Sequence, residues 1–310
     1  MPKPQYFPNL FIPGAAKSGT STLHNLLHQH PDICMSTNKE PFYFVNEDFE
    51  SDLNLYDSKY HDLFTNLNTR YKGESSTSYM LFPNFIENVK KHVDESAKFI
   101  FILRNPVDRI YSHYWYLKGI GSETKGFREA VLKDMDEEPN IHSRLPEGRF
   151  KHYYQYGLYA KWLAKFYDSF EKTQIKVVLF EDLKESPLDT LNQCLGFLEL
   201  KKLETIENTD TNKTVVLKYP YIYKSIQHVV SGKSKLLKPI HKIIPENIKT
   251  HLRNNASEYV IKMTDSKKGY SKLSINDREW ISQLYKDDYV LLKELVEIDF
   301  NKWTDFNQFK

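Results

Sequence analysis

The chain has 310 residues, 40% of them hydrophobic and 27% charged, with a net charge of +2. That is the make-up of a soluble globular protein, long enough for one large domain or two small ones. A charge so near balance gives no whole-protein argument for nucleic acid, and no run of about eighteen apolar residues offers a membrane span.

Aromatic residues make up 14% of the chain, enough for a substantial core. Cys34 and Cys194 are the two cysteines. They sit among apolar residues and read as buried free thiols rather than a disulfide framework. No CxxC or Cys/His cluster points to zinc. The first strand signal begins within about ten residues of Met1, which leaves no room for a signal peptide or anchor. The expected location is cytoplasmic.

Leu10, Phe11 and Ile12 form a short apolar run, as a buried strand does. Gly14 to Thr20 is small, polar and turn-prone. Leu23, Leu26 and Leu27 then recur at helical spacing. Strand, small-residue loop and helix in that order aim the N–H groups of the loop and first turn at one spot. The natural occupant is an anion, usually a phosphate. In a Walker A loop lysine follows the second glycine, whereas here Lys17 precedes Gly19, so that match fails.

His30-Pro31-Asp32 ends the first helix, and Ile33 to Met35 is a short apolar step. The acidic-aromatic block Lys39-Glu40-Pro41-Phe42-Tyr43-Phe44 follows. Residues 46–70 read as loop and short helix, and 71–79 as a strand end and loop. Phe85, Ile86 and Val89 share one face of a helix over 83–93. Lys98 to Leu103, KFIFIL, is the strongest strand signal, apolar throughout as in a strand buried on both faces. Arg104-Asn105-Pro106 breaks it, and a helix follows from Val107 through Tyr111, Tyr114 and Trp115. Residues 119–150 read as the least organised part of the first half.

A helix is predicted over 153–170, with Leu158, Trp162, Phe166 and Phe170 at spacings near four. Ile175 to Phe180 is another buried strand, and 188–198 reads as a helix. Buried strands alternating with helices imply an α/β fold with a parallel sheet covered on both faces. From Lys213 to Arg253 the composition turns basic, with Glu246 the lone acid. Breaks at Pro220, Gly232, Pro239 and Pro245 suggest helical pieces, a basic insert or lid at about 213–265 within a single domain over 1–310. Such a segment suits an anionic glycan or a membrane surface, or is a solvated face. Lys267-Lys268-Gly269-Tyr270 forms a loop, and a last helix spans 274–296 with Ser274 as N-cap.

The Lys17-Ser18-Gly19-Thr20 core resembles the 5′-phosphosulfate loop of sulfotransferases that use 3′-phosphoadenosine 5′-phosphosulfate (PAPS). Their second signature is a strand ending in arginine, a proline-containing turn, and a helix with serine eight residues on. Arg104 and Ser112 match it. The resemblance covers nearly the whole chain and is closest to the heparan sulfate and related carbohydrate sulfotransferases and their bacterial relatives. It implies a P-loop-like three-layer α/β fold. It also implies PAPS as donor, 3′-phosphoadenosine 5′-phosphate (PAP) as product, a carbohydrate acceptor and no metal.

Residue by residue, the resemblance assigns Lys17, Ser18, Gly19, Thr20 and Ser21 to the 5′ end of the donor. Arg104 and Ser112 go to its 3′-phosphate, and Lys267, Lys268, Gly269 and Tyr270 to a loop closing over it. Glu40 falls where the family has its proposed catalytic base. Glu74 falls in a glutamate-lysine stretch tied to acceptor binding, with Ser75 in place of the lysine.

The chemistry fits these residue types. Arginine offers a bidentate fork to a dianionic phosphate. Sulfuryl transfer is an in-line displacement with a loose transition state like that of phosphoryl transfer. Lys17 would neutralise charge on the departing oxygen. Glu40 would take the acceptor's proton, with Phe42 and Phe44 expected to raise its pKa. His24, His28 and His30 are nearby alternatives that read as packing or solvated residues. Two other readings stand beside this one. A P-loop nucleotide kinase needs a Walker B aspartate, where KFIFIL and IKVVLF end in Arg104 and Glu181. A degenerate polyanion-binding module would use 213–253, against which Lys17, Arg104, Ser112 and Glu40 together argue.

Overall fold

The computed structural model of the chain describes residues 4–145, 149–207 and 270–309. The backbone forms two compact units, one of 1–110, 134–212 and 274–310, the other of 111–133 and 213–273. The basic insert expected at 213–265 lies outside the described residues, as do Lys267, Lys268 and Gly269.

The first unit is built on a parallel sheet. Its strands are β1 (Leu10–Phe11), β2 (Ile33–Met35), β3 (Tyr71–Glu74), β4 (Lys98–Leu103) and β5 (Ile175–Leu179). They lie in the order β2-β3-β1-β4-β5, every pair parallel. The alternation inside KFIFIL explains how one strand is buried on both sides. Ile100 and Ile102 join Leu10, Leu23, Leu26, Leu27, Leu191 and Leu195 in an aliphatic layer. Phe99 and Phe101 point the other way. There Phe99 packs on Phe11, Phe85, Phe166 and Phe170, and Phe101 packs on Phe166.

The helices are α1 (Thr20–Leu27), α2 (Leu53–Leu63), α3 (Pro83–His92), α4 (Pro106–Gly119), α5 (Phe127–Met135), α6 (Tyr159–Tyr167), α7 (Phe180–Glu185), α8 (Pro187–Phe197), α9 (Ile275–Leu284) and α10 (Lys286–Leu295). The expected central parallel sheet flanked by helices is therefore present. Four details differ from the sequence reading. Helix α5 sits within 119–150, where buried Ala130 and Val131 give it an apolar side among the charges. Helix α7 follows β5 with no loop between them.

The helix expected over 153–170 begins only at Tyr159, and the long last helix is divided at Tyr285. These two breaks share a cause. Tyr285 packs on Gly157 so closely that a Cβ there would fall 2.5 Å from its hydroxyl. That hydroxyl donates to the Tyr154 carbonyl at 3.0 Å. Beyond the break, Asp288 accepts from the Ala160 and Lys161 amides, both at 3.0 Å, and so caps the start of α6.

Candidate active site

In a doubly wound sheet, ligands bind beyond the carboxyl ends of the strands, where neighbouring strands send their connections in opposite directions. Here that point lies between β1, whose chain turns toward β2, and β4, whose chain leads to β5. Both motif loops leave from there. The first is an extension of the sheet: Ala15 N donates to Ile102 O at 2.9 Å, and Ile102 N to Gly14 O at 3.0 Å. Gly19 has φ +90°, and a Cβ there would fall 2.7 Å from the Phe180 ring, so the turn into α1 requires glycine. The first turn of α1 holds no acidic side chain, which leaves its positive dipole end for an anion. Ser18 and Thr20 are buried, Ser21 partly so.

Arg104 opens the second loop, directly after β4. Its Nη1 donates to the Lys17 carbonyl at 3.1 Å, and its guanidinium lies 4.8 Å from the centre of the Phe180 ring. The structure thus brings the two motifs together. Its backbone is held by Tyr159, whose hydroxyl donates to the Arg104 carbonyl at 2.8 Å. Next along, Asn105 donates from its amide to Glu181 at 3.0 Å and from its side chain to Asp305 at 2.8 Å. Glu181, the residue at which a kinase would need its aspartate, is occupied in this clamp, with Trp303 Nε1 as second donor at 3.0 Å.

Glu40 faces the same region. Its backbone is left-handed (φ 59°), as are those of Phe42 (61°) and Lys17 (69°). Non-glycine residues hold such conformations at a cost, and they cluster at functional sites. The Glu40 side chain is 10% exposed. Its Oε1 accepts from Lys39 Nζ at 3.1 Å and Thr77 Oγ1 at 3.2 Å, and its Oε2 from Arg149. Lys39 also donates to Thr20 Oγ1 at 3.2 Å, so it spans the phosphate loop and the carboxylate.

The charges correct one expectation. Burial does push the Glu40 carboxyl up, as its aromatic neighbours suggested. The Lys39 and Arg149 cations, with hydrogen bonds from Lys39 and Thr77, outweigh burial and hold the pKa at about 2. Lys17 moves the other way from its ordinary value. Burial, then the like charges of Arg149 and Arg104, bring it down to about 8, against an opposing pull from Glu40.

Lys39, Arg144 and Arg149 are the functional candidates that sequence reasoning missed. Arg144 lies 4.2 Å from the centre of the Phe42 ring. It also borders a cavity of about 340 Å³ lined by Asn46, Glu47, Asp48, Ile141 and His142. The segment carrying both arginines is pinned by buried His152, hydrogen-bonded to Asp134 at 3.3 Å and to Ser143 at 3.2 Å. Lys39 had a signal, its place beside Glu40. The arginines had none, in a stretch that read as unorganised.

Glu74, expected in an acceptor-binding stretch, is turned into the core. It ends β3 with 0% exposure, its carboxylate accepting from Tyr60 and from Ser76 Oγ at 2.6 Å. The histidines are structural. His24 Nε2 donates to Ser36 O at 3.2 Å and Nδ1 accepts from Ser75 at 2.8 Å, while burial and the Lys39 charge lower its pKa to about 4. His28 and His30 accept the Met35 and Asp32 amides, both at 3.1 Å.

Ser112 and Tyr270 belong to the second unit. Ser112 is buried on α4. Tyr270 lies parallel to Trp115, ring centres 5.6 Å apart, and edge-on to Tyr111 at 5.5 Å. Among the described residues, no group of three or more His, Cys, Asp or Glu is placed to hold a metal, and no helix is long and apolar enough to cross a membrane.

A parallel sheet with a lysine-bearing loop after one strand and an arginine after its neighbour makes this a P-loop-like fold. The family model described as "Sulfotransferase domain" matches residues 7–273, and the chain belongs to that family. Carbohydrate sulfotransferase 15 from Homo sapiens is 25% identical over 248 residues, covering 63% of this chain and 44% of that protein. Heparan sulfate glucosamine 3-O-sulfotransferase 3B1 from Homo sapiens is 27% identical over 208 residues, 67% of this chain and 50% of that one. The chain therefore spans half or less of the length of these relatives. A solved sulfotransferase from Alicyclobacillus acidocaldarius superimposes with a TM-score of 0.65 at 25% identity, over 96% of this chain and 99% of that one.

Proposed function

We propose that this chain moves a sulfuryl group from PAPS to a hydroxyl or amine of a carbohydrate. The observation that carries the reading is the Arg104–Lys17 hydrogen bond, which joins the two anion loops at the carboxyl end of the sheet. Lys17, with the amides of Ser18 to Ser21, holds the 5′ end of the donor, and Arg104 its 3′-phosphate. Ser112, Tyr270 and the Lys267–Gly269 loop keep donor-binding roles on the sequence pattern alone. The acceptor oxygen or nitrogen bonds to sulfur as the bond from sulfur to the phosphate oxygen breaks, and that oxygen keeps the electron pair. Lys17 neutralises its charge. Glu40 takes the acceptor's proton.

A carboxylate with a pKa near 2 is a weak base. Its basicity rises when the cations that depress it turn elsewhere, and Lys39, already on Thr20, is placed to turn to the donor. The cavity beside Arg144 suits a neighbouring sugar. The carbohydrate class rests on the names of the relatives, and no metal is needed for these steps. A single sulfotransferase domain over the chain, with the basic segment as lid, is part of the proposal. So is a cytoplasmic location, consistent with two buried free thiols.

The test is ligand-induced stabilisation followed by transfer. PAP without metal should raise the melting temperature more than ATP with Mg²⁺ at equal concentration. At a hundredfold excess over Kd the gain is about 2.7 kcal/mol. Labelled sulfate should then pass to a carbohydrate in a panel. A larger shift with ATP and Mg²⁺ would favour a kinase. Stabilisation by neither would leave a polyanion-binding module.

A further inference from the structure

We propose that Glu74 is a positioning residue for the transfer step, acting through Ser76 on the turn that carries Glu40. This rests on Glu40 being the base.

The connection can be followed bond by bond. Ser76 Oγ donates to Glu74 Oε1 at 2.6 Å and accepts the Phe42 amide at 3.2 Å. Beside it, burial and the Glu74 charge raise the pKa of Tyr79, whose hydroxyl accepts the Phe44 amide at 3.3 Å. A hydroxyl that gives its proton to a carboxylate presents its lone pairs to an N–H, so Glu74 orients Ser76 as an acceptor. The Phe42 and Phe44 amides flank the aromatic end of the turn. The Glu40 end is held by the same strand's continuation, where Ser75 O accepts the Glu40 amide at 3.0 Å and Thr77 reaches the carboxylate.

The turn needs such support. Glu40 and Phe42 are both left-handed, a conformation that relaxes unless its surroundings over-determine it. Tyr60 gives the second hydroxyl to Glu74 and packs edge-on against Tyr43 at 5.1 Å, so the cluster meets the turn again. Among the described residues, both hydrogen bonds to the buried carboxylate come from hydroxyls, and no lysine or arginine is bonded to it. That arrangement orients donors; it does not bind an anion. A buried carboxyl is also expensive, and burial raises its pKa to about 7. An apolar side chain in its place would leave the Ser76 and Tyr60 hydroxyls without their acceptor and the Phe42 amide without a directed partner.

The experiment is a double-mutant cycle in the full chain, with kcat and each KM read at a saturating level of the other substrate. Glu74→Gln should lower kcat about tenfold or more, with the donor and acceptor KM each within about twofold, because the base is misplaced while the binding loops are untouched. In the Glu40→Gln background the same change should cost less than about threefold, since residues acting as a unit are not additive. Multiplicative losses would overturn the positioning role and leave Glu74 a general stabiliser. Unchanged kcat in Glu40→Gln alone would instead sink the assignment of the base. If Glu74→Gln does not fold, Ser76→Ala cuts the link to the Phe42 amide, and the same cycle with Glu40→Gln decides. Glu74→Asp, which keeps the charge but shortens the reach, should recover less than half of the lost kcat. Full recovery would mean that charge alone matters and would overturn the bond-by-bond account.

Discussion

The affinity for PAP should fall as pH rises through the Lys17 titration. In the free protein burial, Arg149 and Arg104 bring this lysine down to about 8. A cation with a lowered pKa loses its proton on the way up in pH, so binding that needs the ammonium is strongest below 8. At pH 9 roughly a tenth of Lys17 is charged, and at pH 10 roughly a hundredth, so Kd should weaken about tenfold per unit above 8. The ligand adds no slope there, because phosphate monoesters lose their second proton near pH 6. Binding above pH 8 should also take up about one proton per PAP. Calorimetry in two buffers of different ionisation enthalpy reads both quantities. Lys17→Arg moves the titration out of range and should flatten the curve to pH 10. A wild-type Kd constant between pH 7 and 9.5 would refute the lysine's part in holding the donor, or its crowding by Arg149 and Arg104.

Arg104→Ala should weaken PAP by about ten- to a hundredfold, the worth of hydrogen bonds to a charged group. Adenosine 5′-phosphate, which lacks the 3′-phosphate, should lose much less, and an equal loss for the two would show the arginine serving only as a brace for Lys17. Gly19→Ala must take φ +90° and meet the Phe180 ring, so denaturant unfolding should show a loss on the order of 2 kcal/mol. Unchanged stability would mean that the turn and Phe180 shift freely.

The sheet was legible because its strands are apolar on both faces, and because turn residues bound them. KFIFIL and IKVVLF could hardly be anything else, and the loops after β1 and β4 carried their residue types openly. The electrostatics of the site were not legible. Phe42 and Phe44 are neighbours of Glu40 in sequence and pointed to a raised pKa. Lys39 next to it and Arg149, 109 positions away, together reverse the sign. Ion pairing between distant segments leaves no periodic trace. The split of the last helix was hidden for a similar reason, since Tyr285 fits a helical pattern and only its contact with Gly157 breaks it. Glu74 was found by motif, but a sequence does not say whether a carboxylate at a strand end faces out or in, and this one is buried.

Lys17 combines a left-handed backbone, partial burial and three like charges around it. Each of these works against the folded chain when no ligand is present. Asparagine tolerates that backbone and carries no charge, so Lys17→Asn should melt higher than the natural protein. A directed-evolution screen scored only on heat resistance would therefore drift toward losing the ammonium proposed to meet the leaving group. Robustness and turnover pull this codon in opposite directions, a trade-off common where function is built on strain.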